Sequence, residues 1–298
     1  MNDNQKNAVL ILNPESGRGK GRILKPSIRT HFQRAGLDLE IVESRQPGDI
    51  KRLVAECYRQ ACPRVIVAGG DGTIFEAVNG ILQSENPIPL GIVPIGTGND
   101  FVKAVGIPEQ WAYACDRIIH GTPQLVDLGR CNGHYFANGV GIGLDAQIAT
   151  IAKRINLITG KGIYQLATLI QLFKGIDAPR VSIEVDGTTY IQEISLVAVA
   201  NGTCFGGSFK IAPKSSVDDG EFDVVIADPV TRRRALSVLP KIRHGRHLGL
   251  PEVQYYNAKH VVISSEQPLP IHLDGELVDQ DVNRYEIEIM PKRLNVIV

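Results

Sequence analysis

Short apolar runs alternate with helix-spaced apolar stripes along the first part of the chain. AVLILN (8–13), LDLEIVE (37–43), RVIVAGG (64–70) and PLGIVPIG (89–96) have strand character. Between them, Leu24, Ile28 and Phe32 recur four apart and share one helix face, with Gly36 as a stop. Ile50, Leu53, Val54 and Cys57 form a second stripe in DIKRLVAECYRQA, which Asp49 is placed to cap. TIFEAVNGIL and NDFVKAVG read as the helices after the last two strands. Repeated strand–helix units predict a parallel sheet with right-handed crossovers, and ligands of such sheets bind beyond the carboxyl ends of the strands. Three glycine-rich loops, at 13–21, 69–73 and 96–100, lie at those ends.

From about residue 124 the pattern changes. QLVDLGRCN, HYFANGVGIGL, RVSIEVDG, TYIQEISLVAVANG, EFDVVIA, KHVVISS, LPIHLDGELV and RYEIEIMP are strand-like, and several alternate apolar with polar positions. Asp-Gly turn signals stand at 186–187, 219–220 and 274–275. Only 147–175 and 230–244 read as helical. These patterns predict an α/β parallel-sheet domain over residues 1–127 and a mostly β, sandwich-type domain over 128–298, with the C-terminal segment free to pack back on the first.

Composition narrows the class. The 298 residues carry 32 Lys+Arg against 32 Asp+Glu, so no global field draws the chain to nucleic acid. Five scattered cysteines form no C-x-x-C pair, which predicts reduced thiols and a cytoplasmic chain rather than zinc or disulfides. MNDNQKNAVLILNP lacks a signal pattern, and no apolar run reaches the roughly 18 residues of a membrane span.

The loops carry the chemistry. NPESGRGKG (13–21) offers glycines and two cations, without Walker spacing; it is either a phosphate loop or a flexible basic loop. GGDGT (69–73) lacks the third glycine of a dinucleotide fingerprint, because Phe75 stands there. A carboxylate among phosphate-cradling glycines is repulsive unless a cation intervenes, and Mg²⁺ prefers carboxylates together with phosphate oxygens. Asp71 is therefore explained if it organises a metal–nucleotide complex. GTGND (96–100) ends the neighbouring strand, so Asp71 and Asp100 reach one rim, although helix capping alone also accounts for Asn99 or Asp100. PKSSVDDGEFDVVIA reads most simply as a turn before a strand, and HLDGELV as a type I′ hairpin. RRRALSVLPKIRHGRH (232–247) is a basic amphipathic stretch, either an ordinary packed helix or one lying on an anionic membrane.

In this order, NPESG, GGDGT, GTGNDF, DDG before a strand, and LDGE resemble the diacylglycerol kinase catalytic family. The likeness is strongest to soluble bacterial lipid kinases, with sphingosine kinases as relatives. GGDGT alone is shared with NAD kinases. The resemblance implies a nucleotide-binding domain and a β-sandwich domain with the active site in the cleft between. It implies an ATP- and Mg²⁺-dependent enzyme that phosphorylates a lipid hydroxyl, diacylglycerol first among them, at a membrane surface touched only peripherally, on the inner face. It places Asn13, Pro14, Glu15, Ser16, Gly17, Ser44, Gly70, Asp71, Gly72, Thr73, Ile74, Phe75, Glu76 and Thr97 at ATP. Asp71 and Asp100 would organise the catalytic Mg²⁺ and Glu276 would be the general base. A second, structural Mg²⁺ would take the Asp219 side chain and the carbonyls of Ser216 and Glu221. Two positions depart from the family pattern: Phe75 replaces an asparagine and Lys103 an arginine, whereas Glu76 and Asn79 keep it. A soluble-acceptor kinase of NAD-kinase type and a non-catalytic nucleotide-binding regulator are the rival readings, and a homodimer is among the open assemblies.

Overall fold

The computed structural model describes residues 7–82, 88–155, 162–207, 209–278 and 281–298. The helical expectation over 156–161 therefore falls outside the described residues. The chain forms two compact units, Met1–Val126 with Lys292–Val298, and Asp127–Pro291.

The first unit runs β1 (Asn7–Leu12), α1 (Ser16–Arg34), β2 (Asp38–Glu43), α2 (Asp49–Arg59), β3 (Arg64–Gly69), α3 (Asp71–Ile81), β4 (Leu90–Pro94), α4 (Asp100–Ala104) and α5 (Trp111–His120). Its strands lie in the order β2-β1-β3-β4, and every pair is parallel. Ile28 and Phe32 are fully buried on the α1 face that the spacing predicts, and Leu24 packs beside them. At its start, Gly17, Arg18 and Gly19 take left-handed φ, so the basic loop is a tight turn leading into the helix. Helix α5 escapes the sequence pattern, because Ala114, Cys115 and Ile118 make too short a buried stripe to announce it. Asp49 corrects an expectation. It is the first residue of α2 rather than its cap, and its carboxylate accepts the N–H groups of Arg45 and Gln46 in the preceding turn. Glu76 reaches across from α3 to accept the N–H groups of Gly48 and Ile50 instead.

The second unit contains β5 (Pro123–Cys131, from residue 127), β6 (His134–Phe136), β7 (Gly139–Gly143), α6 (Leu144–Arg154), α7 (Gly162–Lys174), β8 (Arg180–Val185), β9 (Thr188–Glu193), β10 (Leu196–Ala200), β11 (Phe222–Ala227), α8 (Arg232–Arg243), β12 (Val253–Ala258), β13 (His260–Ser265), β14 (Ile271–Leu273), β15 (Glu276–Leu277) and β16 (Arg284–Ile297, to residue 291). Strands β12-β11-β10-β7-β14-β15 form one antiparallel sheet; β9-β8-β13-β16 form a second antiparallel run. The run read as one strand from 189 to 202 is two strands, broken at Ile194–Ser195. The turn at 186–187 has φ of 45° and 85°, and that at 274–275 has 51° and 83°, the double left-handed backbone of a type I′ hairpin. At 219–220 only Gly220 is left-handed, and Asp219 accepts the N–H of Glu221 in a side-chain-closed turn.

Candidate active site

In the first unit, three loops converge at the carboxyl ends of β1, β3 and β4. Glycines let them touch: a Cβ on Gly96 would lie 2.5 Å from the Gly70 Cα, and one on Gly17 would lie 2.4 Å from the Ile95 carbonyl oxygen. The Asn13 Nδ2 donates to Thr73 Oγ1 at 3.2 Å, and Ser16 Oγ lies 3.4 Å from the same hydroxyl. NPESG, GGDGT and GTGND are thus one cluster, with Thr97 exposed at its edge. Ser44 is tied to the end of β1 by its N–H bond to the Leu12 carbonyl. Ile74 is a core residue, 2 % exposed, so its side chain is not available to a ligand. The Glu76 carboxylate is occupied by the α2 entry turn, and the Asn79 Nδ2 donates to the Phe75 carbonyl at 2.9 Å. Pro14, Glu15, Gly72 and Phe75 lie in the same loop cluster or on the first turns of its helices.

Asp71 has a second reason to exist. Its two oxygens accept the N–H groups of Asn99 and Asp100, each at 2.8 Å. The carboxylate thereby closes the GTGND turn, with Asn99 left-handed at φ 53°. A side chain on Gly98 would strike it, since a Cβ there falls 2.5 Å from Asp71 Oδ2. Burial pushes the Asp71 carboxyl upward, while the two N–H donors and the Lys103 ammonium pull it back. Lys103 Nζ lies 3.4 Å from Asp100 Oδ1 and also donates to the Gly98 carbonyl. Asp71 and Asp100 are therefore neighbours, with the Lys103 ammonium beside them. No group of three or more His, Cys, Asp or Glu side chains is gathered as a metal cage among the described residues. Mg²⁺ in phosphoryl-transfer sites usually keeps waters and substrate oxygens and needs only one or two carboxylates, so this acidic pair fits it.

In the second unit, LDGE forms the β14–β15 hairpin. The Asp274 carboxylate accepts the N–H groups of Ala137, Asn138 and Gly139 at 2.8, 2.9 and 2.8 Å. Glu276 follows at the start of β15, its side chain 37 % exposed and 2.6 Å from Lys153 Nζ on α6. Sequence reasoning missed Lys153, because nothing local links two residues 123 positions apart. An apolar cavity of about 110 Å³ lies in the same unit. Leu172, Phe205, Val225, Val238, Leu239 and Ile242 are among its walls. Asp145 and Tyr164 line it too, and both reach the LDGE hairpin: Asp145 Oδ2 is 2.8 Å from His272 Nε2, and a Cβ on Gly275 would lie 3.1 Å from the Tyr164 hydroxyl. The apolar space and Glu276 are thus served by one hairpin.

Asp219 and Ser216 lie in the turn before β11, with Asp219 exposed. Ser216 Oγ donates to Asp218 at 2.6 Å. Below this turn, Asp223 is buried against the hydroxyl of Tyr255 and the Nδ2 of Asn257. Burial pushes its carboxyl up from 3.8 to about 6; Ser215 and Lys214 oppose the rise and Asp219 adds to it. Between pH 3.8 and about 6 the folded chain keeps a proton that the unfolded chain has released, so stability falls as pH rises through that window. Asp223→Asn is expected to abolish that fall and to raise stability at pH 7 by on the order of 2 to 3 kcal/mol at most. Denaturant melts of both proteins from pH 4 to 7 test this, and parallel curves would refute it.

Comparison with known proteins agrees with this geometry. Residues 7–131 match the diacylglycerol kinase catalytic domain, and residues 138–298 match the YegS C-terminal NAD kinase beta sandwich-like domain. The diacylglycerol kinase of Bacillus subtilis (strain 168) is 32% identical over 295 residues, 96% of this chain and 97% of that protein. That of Staphylococcus carnosus (strain TM300) is 30% identical over 277 residues, 91% and 89% of the two chains. The crystal structure of a diacylglycerol kinase from Bacillus anthracis str. Sterne superposes with a TM-score of 0.74 at 25% identity, covering 100% of this chain and 98% of that one. The family's chemistry is phosphoryl transfer from ATP, usually with a divalent metal, and no helix among the described residues is long and apolar enough to cross a membrane. By whole-length similarity and by the two domain matches, the chain belongs to the diacylglycerol kinase family of lipid kinases.

Proposed function

We propose that the chain is an ATP- and Mg²⁺-dependent kinase that transfers the γ-phosphoryl group to a lipid hydroxyl, diacylglycerol to phosphatidic acid in the first instance. The observation that carries the lipid reading is the apolar cavity walled by Asp145 and Tyr164, which both reach the hairpin bearing Glu276. A soluble acceptor such as NAD has no use for some 20 largely apolar lining residues, whereas an acyl chain does.

In this reading the first unit binds the nucleotide. Asn13 to Gly17, Gly70 to Glu76, Ser44 and Thr97 surround it, with Ile74 contributing backbone only and Glu76 acting through the turn it holds. Asp71 and Asp100 would hold Mg²⁺, which when bound neutralises phosphate charge. Phosphoryl transfer needs little covalent chemistry from the protein, so positioning and charge are its main tasks. Glu276 takes the proton of the lipid hydroxyl as that oxygen attacks. Asp219, with the carbonyls of Ser216 and Glu221, would hold a second, structural Mg²⁺. Peripheral membrane contact is assigned to α7 and α8. Phe173 is 81 % exposed, with Leu169 and Leu236 exposed on the same two helices, and Arg233 and Arg243 supply positive charge.

Labelled ATP with diacylglycerol vesicles, a sphingoid base and NAD as rival acceptors tests the assignment. Val238→Trp, which fills the cavity, is expected to raise KM for long-chain diacylglycerol about tenfold or more and to leave KM for ATP within twofold, given about 0.8 kcal/mol per CH₂ no longer buried. Preferred turnover of NAD, or an unchanged lipid KM in the variant, would overturn the reading.

A further inference from the structure

The turn that presents Glu276 is gripped by a buried histidine. His272 lies in β14 and is 3 % exposed. Its Nδ1 accepts the N–H of Gly275 at 3.1 Å, and its Nε2 lies 2.8 Å from Asp145 Oδ2. An amide N–H only donates, so Nδ1 carries no proton. The ring proton then sits on Nε2 and is donated to Asp145. Position 141 is shaped for this contact: a Cβ on Gly141 would fall 2.3 Å from Nε2 and 2.4 Å from Asp145 Oδ2. The ring also stands edge-on to Phe205, with centroids 6.1 Å apart. Asp274 is anchored independently through its three N–H donors. Both left-handed residues of the turn are thus held, Gly275 by the buried His272 ring and Asp274 by the backbone N–H groups its own carboxylate accepts, and Glu276 is the next residue.

We propose that His272, locked by Asp145 as its Nε2–H tautomer, is a positioning residue that sets the direction of Glu276 through the Gly275 N–H. The proposal rests on Glu276 being the base. A bland alternative, a histidine that only stabilises the hairpin, makes different predictions. Glutamine carries an acceptor oxygen and a donor NH₂ in its side-chain amide and can make both bonds; leucine can make neither. His272→Leu is expected to lower kcat about 10- to 100-fold, the scale of a catalytic group displaced by about 1 Å, with KM for ATP and for diacylglycerol within twofold. His272→Gln is expected to recover kcat to within about threefold of the parent, on that same positional argument. Assays run well below both melting temperatures. Two long-range NMR measurements stand apart from turnover: the imidazole ¹⁵N spectrum of the parent should show a bare Nδ1 and a protonated Nε2 at pH 7, and the Gly275 amide should exchange slowly in the parent and in His272→Gln. A protonated Nδ1 overturns the proposal even if His272→Leu fails to fold. A folded His272→Leu with parental kcat, or a His272→Gln no better than it, overturns the positioning role and leaves the kinase reading intact. A parent that phosphorylates no lipid overturns both.

Discussion

Glu276→Gln is expected to reduce kcat by about 10² to 10⁴, the usual worth of a general base, while ATP affinity and melting temperature stay near parental values. The structure explains why stability should survive. The glutamate side chain is partly exposed, its charge partner among the described residues is the similarly exposed Lys153, and such surface pairs are worth about 0 to 1 kcal/mol. The hairpin is held instead by Asp274 and His272, neither of which the substitution touches. Glutamine keeps the shape and one acceptor oxygen but cannot take a proton at neutral pH. Single-turnover rates with saturating diacylglycerol, alongside nucleotide titrations and thermal melts, measure this. A variant that retains more than about a third of the parental rate, far outside that range, removes Glu276 from the chemistry.

Asp71→Ala is expected to lose both turnover and stability. The sequence explains an aspartate among glycines only by a cation. The structure adds two backbone donors, from Asn99 and Asp100, that lose their acceptor in the alanine variant. Leaving buried donors unsatisfied costs about 1 to 3 kcal/mol each, so the variant should melt several degrees lower even without metal. Asp71→Asn keeps one acceptor oxygen at the same place but no charge. It should recover part of the lost stability and none of the Mg²⁺-dependent turnover. The contrast separates the two duties of the residue. Equal melting temperatures for Asp71→Ala and the parent would refute the structural duty, and parental turnover in Asp71→Asn would refute the electrostatic one.

Much of this site is legible before any coordinates. The glycine loops announce themselves because a tight turn beyond a strand needs left-handed or uncrowded backbone; Gly17 and Gly19 supply left-handed φ locally, whereas Gly70 and Gly96 are needed for one loop to touch the next. The LDGE hairpin is legible for the same reason, since Asp-Gly suits two successive left-handed residues. The stripe of Ile28 and Phe32 reads as one buried face because helix periodicity is a property of neighbouring residues. Less visible are the β12 strand, whose VQYYNA lacks alternation and is mostly half-buried, and the short helix α5. Asp49 shows the limit of local chemistry: an acidic residue before an apolar stripe looks like a cap, yet its carboxylate closes the turn behind it.

What the sequence by itself determines, then, is the element order, the turn types and the set of chemically capable residues, because each depends on a few adjacent side chains. The tertiary structure alone decides what those residues do for one another. Asp71 meets Asn99 and Asp100 because β3 and β4 pair in parallel and bring their ends together. Asp274 meets residues 137–139, and His272 meets Asp145, because β14 pairs with β7 and α6 follows directly from it. A carboxylate placed by a turn has several donors within its reach in principle. Sheet pairing across 28 to 137 residues selects among them, and a buried acceptor left without its donor would cost too much for the alternatives to persist.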